Sequence, residues 1–168
     1  FGLTIEGEPE LDSEKITTWE LGYTFFPGRT FRAEVDFFSY HFRDYIGPGA
    51  PHLEQGRPVQ SFVNLGSARS FGFELSADIL PFNWLKLSSN YSFQDLENEY
   101  TVYQAQQPPR HKANFKSFFS LPRGVGFSFL AGYTGRTIWE IPTLSGDYQT
   151  VELDSHLRCD TRLAWETA

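Results

Sequence analysis

Four histidines, one cysteine and scattered carboxylates are the side chains of this sequence best suited to chemistry. His41, His52, His111 and His156 stand in different stretches without paired ligand spacing, so no metal site is expected. Cys159 alone excludes an intrachain disulfide framework and a Cys-rich zinc site. Glu20, Glu74 and Asp78 are of the type used in acid–base work, but nothing supplies a nucleophile, a partner base or a closed pocket. No catalytic residue and no cofactor is expected. A second group suggests binding instead: Tyr45, His52, Arg57, Tyr100, Tyr103, Arg136 and Trp139 fall in or beside the longer polar connections. Aromatic and guanidinium groups there suit a chelate or ring-bearing ligand through stacking and charge. The competing reading is that they are ordinary rim aromatics.

The elements that must carry these residues are strands. Period-two alternation dominates and helical spacing is nearly absent. A first strand is predicted over 16–26, with Trp19, Leu21, Tyr23 and Phe25 on one face, followed by a tight turn at Pro27-Gly28-Arg29. The return strand alternates from Phe31 to Phe37. Beyond it Phe38, Tyr40 and Phe42 take up the apolar register, which predicts a β-bulge. A Gly- and Pro-rich loop is predicted over 47–58, then one strand from about Val59 to Leu80 and a turn at Pro81-Phe82-Asn83. Strands over 85–94, 113–121, 125–133 and 156–165 follow, with a tight turn at Pro122-Arg123-Gly124 and long loops over 95–110 and 137–154.

About seven antiparallel strands result, joined by alternately short and long connections. A transmembrane barrel has that order for a physical reason: tight turns on one side, long recognition loops on the other. Ten residues at ~3.3 Å, tilted ~45°, also cover roughly the ~25 Å apolar band. Alternation alone leaves open whether the apolar face looks into a soluble core or out into lipid. Charges crowd the polar parity and are scarce between the ends of the apolar one. Trp19, Tyr91 and Tyr133 lie towards the long loops, and Phe25, Phe31, Trp84 and Trp165 towards the short turns, as two interfacial girdles would. The outward reading is therefore preferred, with a lipocalin-like soluble barrel as the alternative. An odd strand count cannot close an up-and-down barrel, and open edges in lipid leave backbone groups unpaired. The chain is expected to be part of a barrel, not the whole.

Composition agrees. The 168 residues include 17 Phe, 8 Tyr and 4 Trp, yet mean hydropathy is -0.39 and net charge is -7. So aromatic a chain is not disordered. No stretch approaches the ~18 apolar residues of a spanning helix, and the acidic balance without a basic run argues against nucleic acid. No targeting segment is visible, and the absence of any Met, the first position included, suggests a piece of a longer protein.

Four motifs in order then carry a resemblance. The stretch from Pro9 to Tyr23, with Leu11, Glu14, Glu20 and Gly22, resembles the Pro-x-Leu-x-x-Glu…Glu-x-Gly strand opening of TonB-dependent outer-membrane receptors. Phe31 to Ile46 is similar to the strand ending in Arg-Asp-Tyr-Ile. Asn64 to Glu74 resembles Asn-x-Gly-x-Ala…Gly-x-Glu, and Pro109 to Asn114 resembles Pro-x-His-Lys-x-Asn. The resemblance covers nearly all of 1–168 but only a late part of the family's C-terminal barrel, without plug, earlier strands or final strands. It implies a Gram-negative outer membrane, contact with its lipid and with the protein's own plug domain, and coupling through that plug to the TonB complex. It implies uptake of a scarce solute, foremost a ferric siderophore or a cobalamin-like nutrient, and no enzyme activity. Glu20, Arg32, Glu34, Asp36, Glu74, Asp78 and Lys86 would then line the barrel wall against the plug. A porin or adhesin barrel is the other membrane alternative.

Overall fold

The computed structural model describes residues 4–98, 108–142 and 148–166. Its strands are β1 (Thr4–Glu6), β2 (Lys15–Phe25), β3 (Phe31–Arg43), β4 (Ile46–Pro48), β5 (His52–Glu54), β6 (Arg57–Asn64), β7 (Ala68–Phe82), β8 (Leu85–Asn98), β9 (His111–Leu121), β10 (Val125–Thr134), β11 (Thr137–Pro142), β12 (Tyr148–Leu153) and β13 (His156–Trp165). Seven of them form one antiparallel sheet in the order β13-β10-β9-β8-β7-β3-β2. Neighbours in this sheet follow one another along the chain once the small loop strands are set aside, so it is an up-and-down meander. The sheet is open, and β2 and β13 are its edges.

The strands of this sheet run from 10 to 15 residues, enough to cross a ~25 Å band when tilted. At one end the connections are tight. Arg123 and Gly124 adopt φ of 66° and 72° in the turn after β9, and the Gly124 carbonyl accepts the Glu166 N–H at 3.0 Å. A side chain on Gly124 would need left-handed backbone and would also strike the Glu166 carbonyl. At the other end the connections carry structure of their own. β6 pairs in parallel with β1 and antiparallel with β4 and β5, and β11 pairs with β12.

Several boundaries differ from the sequence reading. The run from Val59 to Leu80 is two strands: β6 belongs to the loop sheet and β7 to the main sheet. Residues 47–58 and 137–154 contain short strands rather than loop alone, β8 continues to Asn98, and β7 runs through Phe82 with a register shift between Ile79 and Phe82. The bulge after Phe37 is absent. β3 keeps unbroken register with β2 from Phe25↔Ala33 to Lys15↔Arg43, and with β7 from Phe31↔Ile79 to Phe42↔Ala68. Phe38, Tyr40 and Phe42 therefore sit on the polar face. They are accommodated because Gly72, directly opposite Phe38, has no side chain: a Cβ there would meet the Phe93 carbonyl and come within 2.6 Å of Phe38 Cζ. Phe38 and Tyr40 stack with ring centroids 5.2 Å apart.

The other face is apolar and bare. Trp19 is 75% exposed, Leu21 70%, Leu163 74% and Trp165 74%, and among the described residues only Val59 and Ala68 are buried apolar side chains. Each large side chain left in water forgoes roughly 1.5–3 kcal/mol relative to an apolar surround. A soluble sandwich or calyx would bury this face; here it lies along the outside of a single sheet. Its register rows show banding. The row Ala77–Ser89–Phe115–Ala131–Cys159 carries no charge. Lys15, Arg43, Arg69, Asp95 and Glu97 appear on this parity only at the end near the long connections. Just inside them lies an aromatic cluster, with Phe73–Phe93 at 5.7 Å and Phe93–His111 at 5.3 Å, and Tyr91 Oη 2.7 Å from His111 Nδ1. At the opposite end Phe82 and Trp84 stack at 5.1 Å. Amphipathic rings at both borders are what an interface on each side favours.

Candidate functional site

Alternation along each strand delivers Glu20, Arg32, Glu34, Asp36, Glu74, Asp78 and Lys86 to the same face of the main sheet, as the register rows Arg32↔Asp78 and Asp36↔Glu74 show. Local pairing holds several of them. Arg32 Nη2 donates to Glu34 Oε2 at 2.8 Å, Ser88 Oγ donates to Asp78 Oδ1 at 2.5 Å, and Lys86 Nζ lies 3.9 Å from Asp78 Oδ2. The Tyr40 hydroxyl donates to Glu20 at 3.0 Å, a contact the expected bulge would have forbidden. Asn114 donates to Asn90 at 2.9 Å, and Gln94 to Ser70 at 3.0 Å. The Ser88–Asp78 and Gln94–Ser70 bonds are part-buried and the others exposed, and none encloses a reacting centre. Among the described residues no three His, Cys, Asp or Glu side chains gather as a metal would require.

Where the face meets the long connections, three segments are clasped together. Asn64 accepts the Asp12 N–H at 2.9 Å and donates to the carbonyls of Asp12 at 2.9 Å and Asp44 at 2.7 Å. Glu14 accepts the Ile46 N–H at 2.7 Å, and Lys15 pairs with Asp44 at 3.2 Å. Asp44 takes φ 56°, a left-handed conformation that Asp tolerates. Backbone bonds Tyr45 N–H to Gly66 at 3.1 Å and Leu65 N–H to Tyr45 at 2.7 Å close the ring. Glu14, Asp44, Asn64 and Gly66 all come from motifs read in the sequence, so those motifs encode a backbone clasp. Sequence reasoning did not assign Asn64 this role. Its one signal was an amide, able both to donate and to accept, at the head of the Asn-x-Gly-x-Ala motif.

Of the seven candidate binding residues, the five that are described lie on three separate elements. Tyr45 belongs to the clasp. His52 and Arg57 are exposed on the β5–β6 hairpin, whose turn residues Gln55 and Gly56 both have positive φ, a tight two-residue connection. Arg136 pairs with Glu152, and Trp139, 39% exposed, lies opposite Val151 on β11–β12. Among the described residues no hydrogen bond or ion pair joins these two hairpins. Tyr100 and Tyr103 lie outside the described residues. Arg136 does line a cleft of about 420 Å³ with Arg110, His111 and Tyr133. There Arg110 Nε lies 2.8 Å from Asp95 Oδ1, a close charge contact rather than an aligned hydrogen bond.

Residues 1–167 match the family model described as TonB dependent receptor-like, beta-barrel. The chain belongs to that family. TonB-dependent receptors are transporters and receptors rather than enzymes, and are outer-membrane proteins of Gram-negative bacteria. Solved structures of similar fold agree. The FrpB iron transporter from Neisseria meningitidis (F3-3 variant) superimposes with a TM-score of 0.75 at 15% identity, over 98% of this chain and 26% of that one. The siderophore receptor PirA from Acinetobacter baumannii gives 0.75 at 14%, over 98% and 27%. The pyoverdine outer membrane receptor FpvA from Pseudomonas aeruginosa PAO1 gives 0.69 at 10%, over 90% and 23%. No curated protein sequence matches. The main sheet is thus a segment of a TonB-dependent receptor barrel, which this chain does not close, and the chain spans about a quarter of the length of these structures.

Proposed function

We propose that this chain is the late barrel segment of a receptor that resides in a Gram-negative outer membrane and imports a scarce solute by energy-coupled transport. The observation that carries the membrane placement is the continuous exposed apolar face with uncharged middle rows and aromatic borders. In water that face would drive aggregation; against hydrocarbon it is stable. The polar face then lines the barrel interior, where Glu20, Arg32, Glu34, Asp36, Glu74, Asp78 and Lys86 face the N-terminal plug domain. The TonB complex acts on the barrel's cargo through that plug. The cargo we favour is a ferric siderophore, ahead of a cobalamin-like nutrient. The aromatic and cationic side chains Tyr45, His52, Arg57, Tyr100, Tyr103, Arg136 and Trp139 on the outer connections suit an anionic, ring-bearing chelate.

The test is uptake by cells carrying the full-length protein. Radioiron delivered as a panel of siderophore chelates should enter only when both the receptor and a working TonB complex are present. Uptake that persists without TonB would replace this reading with a porin-like channel. A full-length product that stays monodisperse without detergent would remove the membrane placement altogether.

A further inference from the structure

The long connection between β3 and β7 continues that strand pair outward as an arm. One register runs from Phe31↔Ile79 to Phe42↔Ala68 in the main sheet and resumes unshifted at Ile46↔Asn64 and Pro48↔Phe62 in β4–β6. The Gly49 N–H, donating to the Ser61 carbonyl at 2.8 Å, carries it one step further. Beyond it Ala50 and Pro51 face the single residue Gln60, and the register slips by one to His52↔Val59. Gln60 Nε2 donates to the Gly49 carbonyl at 2.9 Å and fixes that slip. Between the main sheet and the arm the ladder is interrupted where Asp44 faces Gly66. Both take positive φ, 56° and 125°. Neither value belongs to an extended strand, so this pair is the pivot of the ribbon.

Asn64 bridges the pivot. From β6 it donates to the carbonyl of Asp44 at the pivot itself and to that of Asp12 on the segment entering β2, and it accepts the Asp12 N–H. Glu14 with Ile46 and Lys15 with Asp44 tie the same segments, and β1 supports β6 farther out at Val59 to Ser61. Val59 and Ala68, the buried apolar side chains among the described residues, lie on β6 and at the start of β7. Bonded backbone and packing of this kind hold a connection in one place. His52 and Arg57 share one face near the arm's tip, where Arg57 is paired with Glu54 in register. About eight residues at ~3.3 Å each put His52 up to roughly 26 Å from the pivot, so a swing of about 10° shifts it by about 5 Å. Resting on the functional reading above, we propose that Asn64 is a positioning residue for ligand capture: it locks the angle of this arm and so presents His52 and Arg57 preorganised. A free arm would bind only in the fraction of molecules that happen to be turned correctly.

The experiment uses the full-length receptor in lipid vesicles and the ferric siderophore that cells import in the uptake panel above. Asn64→Ala removes all three bonds. Asn64→Asp keeps the size and the acceptor for the Asp12 N–H but sets oxygen against both carbonyls. Heat-modifiable mobility in gels reports the folded barrel for each. Spin labels at Leu53→Cys on the arm and Leu157→Cys on β13, in a Cys159→Ser background, report the arm's angle. The wild type should give one narrow distance, and both Asn64 variants a broad spread. Stopped-flow binding should show association slowed about tenfold, as a competent fraction reduced to about a tenth requires, with dissociation unchanged within about twofold. A residue that merely touched the ligand would change dissociation instead. Folded variants that keep the narrow distance, or that lose affinity through dissociation alone, overturn the proposal and leave the receptor assignment standing. A wild type that imports no chelate overturns the functional reading, while the distances still decide whether Asn64 holds the arm.

Discussion

Ala131 sits in the uncharged middle row of the apolar face, between Phe115 on β9 and Cys159 on β13. Leu157, opposite Tyr133, lies on the same face near the outer aromatic border, and Ser128 lies on the polar face of β10. An arginine at a bilayer midplane costs about 2–4 kcal/mol, while one near the interface costs about 0–1. Because about 1.4 kcal/mol is a factor of ten, Ala131→Arg should lower the folding equilibrium constant by about 30- to 1,000-fold. Leu157→Arg should lower it by no more than about fivefold from its charge. Its lost apolar contact is controlled by Leu157→Ala. Ser128→Arg should change stability little, because its guanidinium meets a hydrated wall. The assay is urea unfolding of the full-length receptor reconstituted in lipid vesicles, followed by tryptophan fluorescence and heat-modifiable mobility. The signature is the ordering by depth and face. Equal losses at Ala131 and Leu157, or a larger loss at Ser128 than at Ala131, would mean that the apolar face does not look into hydrocarbon.

Asn64→Ala should open the clasp. Three hydrogen bonds at about 1 kcal/mol each leave the two partner segments, so hydrogen exchange at 12–14 and 44–46 should quicken while β8–β10 stays protected. Gly72→Ala should destabilise the barrel by about 1–3 kcal/mol in urea unfolding, and Phe38→Ala should not fully rescue it because the Phe93 carbonyl remains in the way. If the cargo is the proposed ferric siderophore, Trp139→Ala and Arg136→Ala should each weaken its binding by about five- to thirtyfold in titration of the full-length receptor; unchanged affinity would remove that residue from the ligand set.

The seven strands of the main sheet, the alternation of short and long connections and most of the assignment of residues to two faces were legible in the sequence. Each depends on local pattern: side chains alternate with period two, and Gly and Pro mark turns within a few residues. The course of β3 was misread because Phe38, Tyr40 and Phe42 look apolar, and only the cross-strand partner Gly72 explains how they fit on the wet face. The Val59–Leu80 run was read as one strand because β-propensity does not say which sheet a strand joins. The motifs pointed to the right family, while the clasp they build, Asn64 with Asp12 and Asp44, spans 52 and 20 residues of sequence and has no local signature.

By itself the sequence determined a membrane-barrel pattern, its two faces and its parentage, because those follow from periodicity and short spacings along the chain. Tertiary structure alone decided which residues stand opposite one another. It put Asp36 beside Glu74 and kept the His52–Arg57 hairpin without hydrogen bond or ion pair to the Arg136–Trp139 hairpin among the described residues. Register between strands is set by pairing across long sequence separations, and a shift of one residue would exchange every face.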